Sequence, residues 1–360
     1  MKQIVTTLAI ITIAMFGCKK KDIPAPPPII PTVTTAVLTN ITTSGATSGG
    51  TIVSDGGATI TKSGIVWSKT NNTPTITDSV VTNTVASGPF TSVITGLDFN
   101  NTYYIRAFAT NSVGTGYGNV FTLNTTNDTT KVRFTYNGQE VVYGIIISPT
   151  TGKKWLDRNL GAKRVAIAFD DYQAYGDLFQ WGRPADGHQL INWTSSIVGV
   201  AVNGTTTTVA TSDIPGHNNF IIAPNDGSTN YDWRDNNNSN RWATAPQGSC
   251  PAGWHVSTKN EWAAETSNTQ SGGTATSGGM TNGSNAFSLL KLTSAGRRNG
   301  YGSSAGQLKQ TGNLGFYWSS SDYLGSGNYT MGYELTFGSN YSYVDRDDKA
   351  QGHMIRCIKD

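Results

Sequence analysis

Turn-forming clusters interrupt this chain so often that long helices have little room to form. Gly49-Gly50, Asp55-Gly56-Gly57 and Asn71-Asn72 divide residues 35–126 into short runs such as Ser63-Gly64-Ile65-Val66-Trp67. Glycine and asparagine supply the backbone conformations that tight turns need. The clearest run has Tyr103, Ile105, Ala107 and Ala109 alternating with Tyr104, Arg106 and Phe108. A period of two is the pattern of a strand with one buried face. About seven such strands in roughly 90 residues predict an all-β sandwich. Composition fits this reading. Only 14% of the 360 residues are charged, against roughly 25% in ordinary domains. Low charge with many small polar residues does not match a highly charged disordered chain. The 26 Lys and Arg against 23 Asp and Glu leave a net charge of +3, which offers nucleic acid no electrostatic footprint.

The amino terminus reads as a processing signal. Lys2 precedes a run from Ile4 to Phe16 that is almost wholly apolar. The run is short for a spanning helix and suits the core of a signal peptide over residues 1–17. It ends in Gly17-Cys18. A small residue directly before Cys resembles the bacterial lipobox, which implies that Cys18 carries lipid and becomes the first mature residue. The membrane is then a partner through that anchor, and the expected location is the cell envelope, at the outer membrane or cell surface. Pro24, Pro26, Pro27, Pro28 and Pro31 follow, so residues 18–34 read as a semi-rigid tether. With Cys18 lipidated, Cys250 and Cys357 are the remaining pair. An exported chain favours a disulfide between them, and two isolated Cys lack the CxxC spacing of a metal site.

Within residues 35–126, Gly96-Leu97-Asp98-Phe99-Asn100-Asn101-Thr102-Tyr103-Tyr104-Ile105-Arg106-Ala107, followed by Asn111-Ser112-Val113-Gly114, resembles the fibronectin type III modules of bacterial surface proteins. The resemblance implies a tyrosine corner at Tyr103 and a spacer or binding role.

Asn124 to Thr130 is a polar linker, and eight of the nine Trp lie beyond it. Val132–Tyr136 and Val141–Ile147 read as strands. Thr258 with Glu261 three residues on forms a capping-box pattern for a helix over 260–266. Residues 271–284 read as a Gly/Ser/Thr-rich loop, and 329–337, 341–345 and 352–358 as strands. Several motifs stand in order here: Lys154-Trp155-Leu156-Asp157-Arg158-Asn159-Leu160-Gly161, Gly176-Asp177-Leu178-Phe179-Gln180-Trp181-Gly182 and Cys250-Pro251-Ala252-Gly253-Trp254-His255-Val256-Ser257-Thr258. Glu261-Trp262, Ala295-Gly296-Arg297-Arg298, Gly315-Phe316-Tyr317-Trp318-Ser319-Ser320-Ser321 and Ile355-Arg356-Cys357-Ile358 complete the series. Together they resemble the Fibrobacter succinogenes major paralogous domain over residues 127–360. That family is related to the C-type-lectin-like and formylglycine-generating-enzyme folds, so the resemblance implies an α+β C-type-lectin-like domain with Cys250–Cys357 as its structural disulfide.

No catalytic signature appears: there is no G-x-S-x-G, no phosphate loop and no dinucleotide fingerprint. The four His lack zinc-site spacing. Asp235 to Ser239 is oxygen-rich, yet Asn240 and Pro246 stand where a calcium loop needs Gly and Glu. It and the acidic group Asp345, Asp347 and Asp348 are expected to be solvated turns, so no metal and no cofactor are assigned. Trp254, Trp262 and Trp318 are expected in the core. Trp193, Trp233 and Trp242 lie among polar loop residues and are the candidates for an exposed ligand platform, with Asn236, Asn237 and Asn238 as hydrogen-bonding amides. The resulting expectation is a lipid-anchored, non-catalytic adhesion or recognition protein for glycan or protein. A divergent enzyme of the formylglycine-generating fold and a purely structural surface component are the rivals.

Overall fold

The computed structural model describes residues 24–224, 231–235, 241–242, 249–266, 279–325 and 330–360. The chain divides into two compact units, Met1–Asp128 and Thr129–Asp360.

The N-terminal unit is an all-β sandwich. One antiparallel sheet orders Thr32–Thr35, Ala46–Ser54 and Gly88–Ile94. The other orders Ser79–Asn83, Lys62–Ser68, Thr102–Thr110 and Thr115–Tyr117, and Phe121–Asn124 also pairs with Thr102–Thr110. Val33, Ile52, Phe90 and Ile94 of the first sheet share a core with Ile65, Tyr103, Ile105, Ala107 and Leu123 of the second. The alternation at 103–109 therefore works as a strand pattern should: the odd-numbered side chains face the opposing sheet. Tyr103 accepts a hydrogen bond at its hydroxyl from the Asp98 backbone N–H at 2.9 Å, which ties the approach segment to the strand. The sandwich also begins earlier than the sequence reading placed it. Ile29 donates its N–H to Gly56 O, and the first strand is Thr32–Thr35, so the sheet already includes residues 32–34.

The C-terminal unit is built mainly from short strands, with two α-helices among the described residues. One sheet orders Trp254–Val256, Cys357–Lys359, Lys154–Leu156, Gln139–Ile147 and Lys131–Tyr136. A meander follows through Gly315–Leu324, Thr330–Phe337 and Ser342–Asp348. Gly352–His353 lies between Phe179–Gln180 and Arg297–Arg298 in a third sheet. No helix among the described residues is long and apolar enough to cross a membrane.

The helix Lys259–Glu265 starts where its cap dictates. Thr258 accepts from the Glu261 N–H, and Glu261 reaches back to the Thr258 N–H at 2.8 Å. It buries Trp262 and Ala263, and Trp262 stacks on Trp155 with ring centres 4.6 Å apart. The second helix, Gly283–Leu290, overlaps the end of the expected 271–284 loop. Asn282 caps it through the Asn285 N–H, and Lys291 ends it in the left-handed region at φ 55°. Tertiary burial of Ala286 and Leu290 sustains this helix in a stretch whose Gly and Ser argue locally for a loop.

The ordered motifs meet in the core. Trp155, Trp181, Trp254, Trp262 and Trp318 are all buried. Trp181 donates its indole N–H to Ser319 O, Trp262 to Trp318 O and Trp318 to Phe179 O. Residues 319–321 bulge out of the pairing between Gly315–Leu324 and its neighbour, which frees Ser319 O to accept from Trp181. Cys250 and Cys357 are disulfide-bonded. Arg356 is fully buried and donates to Asn159 Oδ1 and to the carbonyls of Leu156, Leu290 and Lys291. One guanidinium thus joins the 154–161 motif, the end of the second helix and the chain's final strand.

Candidate functional site

A cleft of about 530 Å³ opens on the C-terminal unit, within the range of small-ligand sites. Its first wall is the hairpin Lys131–Tyr136 and Gln139–Ile147. Asn137 and Gly138 form its two-residue turn, both at positive φ, which matches the right-handed twist of the strands. The turn places Tyr136, Asn137, Gln139, Val141 and Tyr143 on the cleft. Arg158, Gly161 and Lys163 form a second wall, and Leu190, Ile191, Asn192 and Val202 a third.

Asp177 joins these walls. It is buried, and its Oδ2 accepts from the Tyr136 hydroxyl at 2.7 Å. Its N–H donates to Leu160 O. Gly161 and Gly176 make this possible. Both have positive φ; a Cβ on Gly161 would lie 2.2 Å from Asp177 Oδ2, and one on Gly176 would lie 2.3 Å from Leu160 O. Only glycine tolerates such an approach. The 154–161 and 176–182 motifs therefore form one structural unit beneath the cleft.

The electrostatics follow from burial. Desolvation pushes the Asp177 carboxyl up to about 7, against the opposing effect of the Tyr136 hydrogen bond. Burial, together with the Asp177 charge, raises the Tyr136 phenol well above its ordinary value. Burial likewise raises Tyr143, whose hydroxyl accepts from the Gly161 N–H. Arg158 lies over the Tyr143 ring and grips the carboxylate of its own neighbour Asp157 through two nitrogens. No salt bridge joins Asp177 to a cation among the described residues. The cleft thus holds a carboxyl that can accept or donate a proton near neutrality, beside uncharged amides and apolar side chains.

A second titratable cluster lies within the core. His353 is fully buried, with Nδ1 2.8 Å from Glu334 Oε2 and Nε2 3.3 Å from Asp347 Oδ2. Its ring stacks on Trp318 at 4.0 Å, and Arg297 pairs with Asp347 at 2.6 Å. Burial works against charge on His353, but the two carboxylates outweigh it and raise its pKa. Glu334, Asp347 and His353 are close enough to act as metal ligands. Burial raises the Glu334 carboxyl to about 7 against the opposing pull of His353, whereas His353 and Arg297 hold Asp347 below its ordinary value despite its burial, so the arrangement reads as a buried ion network. Asp347 and Asp348 are buried at the end of a strand, not in a solvated turn as the sequence suggested: the alternation that buries Ser342 and Val344 breaks at exposed Arg346, and both following carboxylates lie inside, where Asp347 meets Arg297 and His353. His188 is also buried. Desolvation lowers its pKa to about 4; it accepts from the Gln180 N–H at Nε2 and contacts Asp186 at Nδ1.

The expected tryptophan platform is corrected by the structure. Trp193, Trp233 and Trp242 are 9%, 0% and 7% exposed. Trp193 packs edge-on against Tyr175 and donates to Gly176 O; Trp233 donates to Trp181 O; Trp242 packs on Trp181. Polar neighbours in sequence did not keep these rings at the surface, because each fills a gap between distant segments. Asn236, Asn237, Asn238 and Cys18 lie outside the described residues. Tyr136, Asp177, Asn137 and Gln139 were not singled out by sequence. The Asn137-Gly138 dipeptide between two strand-like runs, and the Gly beside the two motifs, are signals that could have pointed there.

No family model matches the chain, and no curated protein matches it. Among solved structures, the sensor domain of the anti-sigma factor RsgI4 from Pseudobacteroides cellulosolvens aligns with 27% of this chain and 96% of its own length, at 14% identity and a TM-score of 0.21. So low a score carries no argument about fold or function.

Proposed function

We propose that this chain is a lipid-anchored envelope protein whose C-terminal domain binds a glycan without chemical turnover. In this reading Cys18 carries the anchor. The sandwich is a fibronectin type III-like stalk, supported by the Tyr103 hydroxyl that holds the Asp98 N–H. The C-terminal unit belongs with the Fibrobacter succinogenes major paralogous domains and their lectin-like relatives. Most of the ordered motifs contribute buried side chains to one core, closed by Cys250–Cys357, which supports that kinship.

The observation that carries the binding role is the cleft, with a buried carboxyl, amides and apolar side chains arranged around one concavity. The Asn192 side chain is exposed on its rim. A Cys18→Ala chain should leave the membrane fraction, and on a glycan array it should bind a defined set of neutral glycans. Adding Asn192→Trp should fill the cleft and abolish that binding. Retained membrane association would remove the anchor assignment. Array binding indifferent to Asn192→Trp, or no binding, would remove the cleft.

A further inference from the structure

We propose that the Asp177 carboxylate is the ligand-reading group of this cleft, accepting hydrogen bonds from hydroxyls of a neutral saccharide. The proposal rests on the reading of the cleft given above and names the ligand class and the residue that selects it.

An ionised carboxylate offers about four acceptor positions. Tyr136 takes one at 2.7 Å, and the Ile191 N–H approaches only to 3.4 Å, long for a hydrogen bond. Asp177 lines the cleft with acceptor capacity to spare. Buried polar groups are ordinarily satisfied, so a carboxylate left short of donors suits a ligand that brings them.

The surrounding charges narrow the class. From the hairpin, Tyr136 and Tyr143 face this region, both held as neutral phenols. Arg158 and Lys163 come from the second wall, with Asp157 already engaged by Arg158. The third wall, Leu190 to Asn192 with Val202, brings no ionisable group. A cationic ligand would meet Arg158 and Lys163, and an anionic one would meet Asp177. A neutral ligand rich in hydroxyls avoids both penalties. Its hydroxyls can donate to Asp177 and exchange hydrogen bonds with Asn137, Gln139 and Asn192, while its C–H faces lie on Val141, Ile191 and Val202.

The proposal carries a sign. A ligand that donates to the ionised carboxylate binds that form, so its affinity falls as Asp177 takes up a proton. With the free carboxyl near 7, linkage gives a loss of about 30-fold from pH 8 to pH 5.5 if the protonated form does not bind. Calorimetric titration of the full chain in a zwitterionic detergent tests this. The probes are maltotriose, cellotriose and tri-N-acetylchitotriose, with trilysine as a comparison that stays cationic at pH 8. At least one neutral trisaccharide should bind tenfold or more tightly at pH 8 than at pH 5.5, and more tightly at pH 8 than trilysine. Asp177→Asn should weaken binding at pH 8 and flatten the pH dependence. If that variant does not fold, the wild-type pH profile decides by itself. Binding by none of the neutral trisaccharides, a flat wild-type profile, or an unaltered Asp177→Asn would overturn the proposal. If Asn192→Trp still abolishes glycan binding on the array in that event, the cleft reading survives and only the role of Asp177 falls.

Discussion

At the scale of single residues, this protein buries charge in quantity and balances it case by case. Arg356 is held by carbonyls and an amide with no carboxylate salt bridge among the described residues, whereas His353 is held between Glu334 and Asp347. Removing one member of a buried ion pair typically costs about 3–5 kcal/mol, since the partner charge is left uncompensated. His353→Gln should therefore lower the urea midpoint of the C-terminal domain strongly. The pH dependence has a definite sign. The folded pKa of His353 is raised above its unfolded value, near 6.5. Its contribution is fully present below about pH 6.5 and is lost as pH rises through the folded pKa. Wild-type stability should show this alkaline loss, and His353→Gln should show less of it, the remainder coming from Asp177, whose raised carboxyl pKa has the same sign. Tryptophan fluorescence is a suitable probe, because eight of the nine Trp lie in this domain. A variant as stable as wild type at pH 6 would show that the network is dispensable.

At the scale of elements, short pieces of secondary structure are held by specific ends and specific contacts. The helix Lys259–Glu265 is two turns long, too short to persist alone. Its capping box and the stacking of Trp262 on Trp155 keep it in place. Thr258→Ala removes the hydroxyl that receives the Glu261 N–H, and losing such a cap costs about 1 kcal/mol. The denaturation midpoint of the C-terminal domain should fall by a corresponding step, and Thr258→Ser should largely restore it. This helix was legible in the sequence, because a capping box acts over three residues. The helix Gly283–Leu290 was not: its first turn reads Gly-Ser-Asn, and what holds it is the burial of Ala286 and Leu290 against residues far away in the chain. The Asn137-Gly138 turn shows a third situation. Its local signal was strong, yet only the fold reveals that it borders a cleft.

At the scale of the molecule, two compact units meet in sequence within the polar segment around Asp128, and the second is closed by a covalent tie between residues 107 positions apart. That bridge links the segment before Trp254–Val256 to the final strand, which pairs with it. Loss of a native disulfide typically costs about 2–5 kcal/mol. Reductant should therefore lower the melting temperature of the C-terminal domain and leave the sandwich, which contains neither cysteine, unchanged. Equal transitions with and without reductant would show that the bridge contributes nothing to stability.

By itself, the sequence determined what depends on neighbours within a few positions. The alternation at 103–109 specified a strand with one buried face, Thr258 and Glu261 specified a helix start, and dense turn signals specified a β-rich chain. It also brought out the motifs that now share a core, because Trp and Gly are conspicuous wherever they occur. Only the tertiary structure decided which side chains are sealed and which face a ligand. Trp193 is buried because Gly176 O receives its indole N–H and Tyr175 covers its ring. Asp177 is pushed up to about 7 because distant segments bury its carboxyl and bring it no cation, and the hydrogen bond from Tyr136, 41 positions earlier, offsets only part of that rise. Burial and electrostatic environment are sums over residues that are distant in sequence, and no local pattern encodes them.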